Sequence, residues 1–284
     1  MSLQTIFGYL FLASGVVWAA LLFKKLLTDK RPDEGGKPLS TMLITEGIVY
    51  FIATMGISDF LMNTIMFNRY KSEDTSRLPG TLMLSAMVPG SFMAYTYLKG
   101  SQPLQAVTLL TCTFGMLAGA LIGGKLVENL DGAKIKKILG IALIFSMGAL
   151  IAKMILSAGA SGTAAGIGGI RLVIAAVCSF ACGALNMVGV PAKPTLTALF
   201  LLLGLSPVCT LTLVLVMCGL TPIGAGIRFY SNGMYHRKTV LASLTAGTVT
   251  AVLGCMLMIS LPALVLNLLM LGVMMLAIIT TFKK

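Results

Sequence analysis

Two ionisable side chains, Lys193 and Asp59, lie deep inside long apolar runs of the sequence, where a charge is hard to accommodate. Lys193 falls in the run from 172 to 203 and Asp59 in the run from 41 to 67. A charge at membrane depth is costly and commonly marks a substrate or ion pathway, so both residues are candidates for chemistry.

Lys193 offers a positive charge for a small anionic substrate, which the free N–H groups at the end of a half-helix would also attract. The alternative is that the chain around Lys193 lies near the membrane surface and that the side chain extends outward to water. The sequence leaves both interpretations open.

Asp59 has three interpretations. A carboxyl group removed from water favours its neutral form, so Asp59 could load and release a proton during transport. It could also be the internal partner of Lys193. The structural alternative is that it accepts backbone N–H bonds at the start of a half-helix, beside Ser58.

Small polar residues and glycines accompany these two charges in both runs. They could hydrogen-bond an oxyanion, although small polar residues also join helices within membranes. We predict a substrate site that consists of Gly56, Ser58, Asn63, Thr64, Asn186, Gly189, Lys193 and Thr195, with Asp59 as the proton-coupling group. Glu46, near the start of its run, is expected to face the lipid headgroups.

The run from 172 to 203 is too long for one ordinary membrane crossing, since about 20 residues span the hydrocarbon core. Its middle, Gly183–Thr195, contains Pro191 and Pro194. Proline lacks an N–H donor and disfavours helix at the residue before it, so we predict a broken helix here. Broken backbone at this depth survives only where protein covers it or where it lines a polar cavity.

The composition is that of an integral membrane protein built from helices. Hydrophobic residues make up 57% of the 284 and charged residues 11%, whereas soluble domains carry about 25% charged residues. The net charge of +12 lacks the basic clusters with exposed aromatics that nucleic-acid binding requires, so we expect the lipid bilayer and no nucleic acid as a partner. All nine acidic residues lie at or before Asp131, which leaves the second half electropositive and favours an anionic ligand.

The apolar segments predict an all-α, polytopic transmembrane protein of the cell (inner) membrane, with about nine crossings. These are 3–23, 41–67, 81–98, 104–126, 135–156, 172–203, 208–229, 240–259 and 261–281. We divide the chain into an additional N-terminal helix with its linker (1–40), a first repeat (41–157), a flexible glycine-rich connector (158–169) and a second repeat (170–284).

The two predicted repeats share local patterns as well as hydropathy. Val107–Gly115 parallels Thr239–Gly247, and each follows a polar turn that opens with a tyrosine. The Gly183 stretch then corresponds to Gly56–Thr64, so each repeat begins with a broken helix. Two equivalent broken helices that meet at a repeat interface mark a transporter binding site, whether the repeats are parallel or inverted.

The order of these motifs resembles the TauE/SafE family of sulfite and organosulfonate transporters. The matching features are the break at Gly183–Pro194, the turn Gly204–Pro207, the threonines Thr210 and Thr212, and the glycine-bearing helices after each polar turn. The resemblance covers about 41–281 and implies two repeats with broken helices and a sulfur oxyanion as substrate.

Enzymatic chemistry is not expected, because the sequence contains no nucleophile–base constellation, Walker A motif or metal-ligand cluster. We therefore predict a permease for a small anion, without cofactor or metal, that works by alternating access. A carrier of another solute, such as a carboxylate or amino acid, and a membrane scaffold without transport remain as alternatives. The sequence leaves a homo-oligomer open.

Overall fold

The described part of the chain is α-helical. The computed structural model describes residues 2–29, 37–60, 62–63, 66, 77–123, 163–186, 192–262, 264–265, 268–269, 271–272, 275 and 279. These residues form no β-strand, apart from one isolated bridge between Ala164 and Leu205. The predicted all-α class is confirmed, while the crossing predicted at 135–156 lies outside the described residues.

The helices are labelled in chain order. They are α1 (Leu3–Thr28), α2 (Leu39–Ala53), α3 (Leu78–Gly100), α4 (Ala106–Ala118), α5 (Ile170–Asn186), α6 (Ala192–Leu202), α7 (Pro207–Asn232), α8 (Arg237–Ala242) and α9 (Thr248–Ser260). A π-helical turn, Gly119–Gly123, continues α4, and a second one, Ser243–Gly247, joins α8 to α9.

Within the described ranges, three segments are long and apolar enough to cross a membrane. They are Leu3–Thr28, Pro207–Gly224 within α7, and Arg237–Ser260. The outer faces of helices α1 and α5 expose large apolar side chains, such as Leu10 at 60% and Val177 at 63%, as lipid-facing surfaces do. The structure therefore fits a protein embedded in a membrane.

Helices α3 and α7 pack along each other at the centre of the fold. Their backbones touch at two glycines, because a Cβ atom on Gly219 would lie 2.8 Å from the carbonyl oxygen of Gly90. Each helix also contains an internal proline, Pro89 in α3 and Pro222 in α7. Helix α1 packs on α3.

Helices α4 and α5 also approach backbone to backbone. A Cβ atom on Gly119 would lie 1.9 Å from the Phe180 carbonyl oxygen, and one on Gly183 would lie 2.0 Å from the Met116 carbonyl oxygen. Small residues permit such contacts in membranes.

Helix α2 packs against α9 in a similar way. A Cβ atom on Gly254 would lie 2.7 Å from the Thr54 hydroxyl oxygen. One on Gly247 would lie 2.7 Å from the ring of Tyr50, whose side chain is fully buried. The helix before each break, α2 or α5, thus packs closely against a different helix that contains glycines.

The described end of the connector, 163–169, is anchored to its neighbours. The Gln105 N–H donates to the Ala165 carbonyl at 2.8 Å, and the Ser206 N–H donates to the Ala164 carbonyl at 3.0 Å. The backbone of this part therefore connects the start of α4 to the start of α7.

Candidate functional site

The first helix break lies at Thr54–Gly56, directly after α2. Gly56 has a φ of +91°, a conformation that glycine adopts readily and other residues rarely do. The hydroxyl of Tyr97, on α3, donates to the Thr54 carbonyl at 3.3 Å and so satisfies a group that the helix leaves unpaired. A new helical turn then begins at Ser58.

The second break separates α5, which ends at Asn186, from α6, which begins at Ala192. Residues 187–191, and with them the predicted site residue Gly189, lie outside the described part. Lys193 is the second residue of α6 and is therefore at its first turn. The long apolar run is thus divided into two helices, as its prolines and glycines predict.

An ion pair joins the two breaks. The Lys193 Nζ lies 2.5 Å from the Asp59 Oδ1, and each of the two side chains is only 6% exposed. The interpretation that Lys193 extends outward to water is therefore wrong. The alternative pairing of Lys193 with Asp59 is the one present, and it brings together two residues that are far apart in the sequence.

A small cavity surrounds this ion pair. Its free space is about 10 Å³, roughly what one water molecule needs. Two helical segments start at its wall, one at Ser58 and one at Ala192, so both could direct backbone N–H groups toward a bound anion. The lining residues are Ser58, Asp59, Phe60, Asn186, Ala192, Lys193 and Cys218.

The other predicted site residues lie at different distances from the pair. Asn63 is buried, and its side-chain amide donates to the Glu46 carboxylate at 3.4 Å, so it contacts a second acidic group. Gly56 forms the break itself. Thr195 is partly exposed and is not among the described lining residues. Thr64 lies outside the described residues.

Glu46 is a polar residue that the sequence assigned to the wrong environment. It is 2% exposed, so it does not face the headgroups. The prediction rested on the position of Glu46 near the start of the apolar run from 41 to 67. Because α2 ends at Ala53, Glu46 lies midway along a short helix. The signal available was its spacing of four residues from Tyr50, which places both on one helical face.

Two further residues at the site were not predicted. Thr197, on α6, is 2% exposed, its hydroxyl has no hydrogen-bond partner among the described residues, and it lies 3.6 Å from the position of a Cβ atom on Gly56. Cys218, on α7, also lines the cavity.

Gly56→Ala is expected to destabilise the protein by about 1–3 kcal/mol, because a side chain at this φ strains the backbone. The space itself is sufficient, since the added Cβ atom would lie 3.4 Å from Leu211. Gly168→Ala is the control, because a Cβ atom there meets nothing within 4 Å. Thermal unfolding of the purified proteins measures the difference, and equal midpoints for the two variants would contradict the strain.

Comparisons of the chain with protein-family models, with curated proteins and with solved structures found no match. A functional conclusion therefore rests on the contacts of the described residues and on the patterns of the sequence.

Proposed function

We propose that the chain is a secondary transporter that carries a small anion across a membrane by alternating access. One observation carries this proposal: the ion pair of Lys193 and Asp59 lies where two interrupted helical segments meet. Interrupted helices that meet near the middle of the membrane are typical of transporter binding sites, because their ends leave backbone groups available for a ligand.

The packing supports an arrangement of two repeats. If the repeats begin at α2 and at α5, then α3 corresponds to α7, and α4 corresponds to α8–α9. The two central helices pack on each other, whereas α2 packs on α9 and α5 packs on α4. Equivalent helices thus make equivalent contacts with the opposite repeat. In such a fold, the rocking of one unit against the other alternates access to a fixed site.

The charge distribution supports an anionic substrate. Lys193 provides a buried positive charge, and no acidic residue follows Asp131 in the sequence. Two helical segments begin at the cavity wall, and helix N-termini attract anions. The resemblance to the TauE/SafE family narrows the proposal to sulfite, a sulfonate or a related sulfur oxyanion.

The ion pair suggests how a proton is coupled to the anion. The free space at the pair is too small for a sulfur oxyanion, so Asp59 must leave Lys193 before the substrate binds. With both groups ionised, the pair carries no net charge. When an anion with one negative charge is bound to Lys193 and Asp59 has taken up a proton, the site again carries no net charge. One proton taken up for each negative charge therefore avoids burying an uncompensated charge, which costs several kcal/mol.

Transport by the purified protein in proteoliposomes tests the proposal. We expect uptake of radiolabelled sulfite that responds to an imposed pH gradient. Lys193→Ala is expected to lower the rate by about 100-fold, since removing one member of a buried charge contact costs about 3 kcal/mol. Lys99→Ala is the matched control, because Lys99 is exposed at the end of α3 and should tolerate the change.

Two outcomes would contradict the proposal. Equal rates for Lys193→Ala and Lys99→Ala would remove the ion pair from the transport pathway. Failure of the folded wild-type protein to move any member of a panel of sulfur oxyanions, carboxylates and amino acids would instead favour a scaffold. Uptake of a carboxylate or an amino acid alone would keep the transporter and reject the sulfur oxyanion.

A further inference from the structure

A second buried carboxyl group, that of Glu46, lies outside the cavity of the ion pair. Glu46 is 2% exposed and is located midway along α2. The Asn63 side-chain amide donates to its Oε2 at 3.4 Å. Within the described part of the chain, no lysine or arginine forms an ion pair with Glu46. The proposed transport mechanism does not use this group.

Two buried oxygen atoms without partners accompany Glu46. The Tyr50 hydroxyl, one helical turn further along α2, is fully buried and makes no hydrogen bond with the described residues. The Asn63 Oδ1 also makes no hydrogen bond with the described residues, and Asn63 is only 3% exposed. Because the Asn63 amide contacts the carboxylate, its Oδ1 is also close to Glu46. Unpaired buried oxygens are costly, and a proton on the Glu46 carboxyl group would give one of them a hydrogen-bond partner.

The chemistry of the cluster favours a proton over a metal ion. An ionised carboxylate in an apolar interior must be neutralised, because an isolated buried charge is very unfavourable. Hard cations such as Ca²⁺ and Mg²⁺ take six or more oxygen ligands, whereas the cluster offers the carboxylate and two further oxygens. A proton needs only one acceptor, and the Asn63 Oδ1 provides it if the amide turns over.

We propose that Glu46, with Asn63 and Tyr50, forms a proton-binding site separate from the Lys193–Asp59 pair. When the carboxylate takes up a proton it becomes a neutral acid, whose O–H donates to the Asn63 Oδ1. Release reverses both changes. The role of this proton in transport rests on the proposed function, whereas its binding does not.

The position of Asn63 connects the two sites. Asn63 lies four residues after Asp59 in the segment that follows the first break, so one short segment contacts both the ion pair and Glu46. When Asp59 leaves Lys193, this segment shifts and the contact between Asn63 and Glu46 changes with it. Proton release from Glu46 is thereby linked to proton uptake by Asp59, which accompanies substrate binding at Lys193.

The ionisable groups around Glu46 come from several elements. On α8, Arg237 is directed away to α1, where it lies 3.7 Å from the Asp29 carboxylate, and Lys238 is partly buried. The other elements near α2 carry the remaining groups. Tyr97 on α3 and Cys255 on α9 share an apolar cluster with Tyr50, and Asp59, after the break, pairs with Lys193 on α6. Among these described groups, Asp59 is the other carboxyl group, so an experiment on Glu46 must distinguish the two.

Infrared spectroscopy of the reconstituted protein measures the bound proton directly. We expect the wild-type protein to show the C=O stretch of a protonated carboxyl group in a dry environment. Glu46→Gln should remove this band and Asp59→Asn should retain it. Asn63→Leu should shift its frequency, since the hydrogen bond is lost. A wild-type spectrum without the band, or a Glu46→Gln spectrum that keeps it, overturns the proposal.

Transport assays separate this proposal from the proposed function. In proteoliposomes with radiolabelled sulfite, we expect Glu46→Gln to lower pH-driven accumulation to a ratio of about one, and Glu46→Asp to restore part of it. If the wild-type protein accumulates sulfite and Glu46→Gln accumulates it equally, the coupling role of Glu46 is wrong. Accumulation driven by a Na⁺ gradient alone would also reject it. If the infrared band is present but no solute moves, the proton site stands and the proposed function fails.

Discussion

Replacing Lys193 by methionine is expected to destabilise the protein by about 3–5 kcal/mol, the largest effect of any single change at the site. The substitution leaves the Asp59 carboxylate buried without its partner, and an unpaired buried charge is far less favourable than the ion pair. The thermal unfolding midpoint of the purified protein should fall by roughly 10 °C, if a large domain loses about 2–4 °C per kcal/mol. Lys99→Met, at an exposed position, is the control.

The double variant Lys193→Met/Asp59→Leu should recover most of the lost stability. Met has about the length of Lys and Leu has the same branching as Asp, so the double variant removes both charges at once. Such apolar replacements of buried ion pairs are commonly neutral or stabilising. Transport should remain absent, because the positive charge for the anion is gone. Recovered stability without transport would indicate that the ion pair serves transport and is not needed for the stability of the fold.

The four proteins of this double-mutant cycle give distinct outcomes. If the double variant is no more stable than Lys193→Met, the loss comes from packing around the lysine stem and not from the orphaned carboxylate. If the double variant transports sulfite at the wild-type rate, the pair has no part in binding. Either result would require a different site.

The sequence predicts the class of the fold, one of its turns and one close contact between helices. Long apolar runs require helices, because helices satisfy their own backbone groups in the membrane. The turn at Gly204–Pro207 is present as predicted, with Gly204 at a φ of +102° and Ser206 accepting a hydrogen bond at the start of α7. The small residues of α4 predict its close approach to a neighbouring helix, which proves to be α5.

The end of α2 was harder to predict. The apolar run continues beyond Ala53, and no proline lies near it, so hydropathy alone indicates an unbroken helix. The break at Gly56–Thr64 was predicted only from its correspondence with the Gly183 stretch. The break depends on the positive φ of Gly56 and on the Tyr97 hydroxyl, which belongs to a helix some 40 residues away. A contact so distant in sequence has no local signal.

The charged residues of the candidate site were easier to predict than the uncharged ones. Lys193 and Asp59 pair because each is an unfavourable charge in an apolar run, and few other partners exist at that depth. Glu46 was misplaced because its environment follows from the end of α2. Thr197 and Cys218 carry no charge, so their positions at the site depend on how α6 and α7 pack.

Gly183→Ala is expected to destabilise the protein by about 3 kcal/mol or more, at the upper end of the range for overpacked sites. The added Cβ atom would lie 2.0 Å from the Met116 carbonyl oxygen, and a backbone oxygen cannot rotate away as a flexible side chain can. Gly119→Ala, at 1.9 Å from the Phe180 carbonyl oxygen, should behave alike.

A graded series of alanine variants tests whether this helix contact also positions the site. Gly115→Ala should have a smaller effect, because its Cβ atom would lie 3.3 Å from the nearest oxygen, and Gly168→Ala should have none. Asn186 lines the cavity only three residues after Gly183, so a displaced α5 moves the wall of the site. Sulfite uptake should therefore fall in the same order as the unfolding midpoint.

If Gly183→Ala unfolds like Gly168→Ala, the close approach of α4 and α5 is wrong. If it loses stability but transports normally, Asn186 has no part in the site.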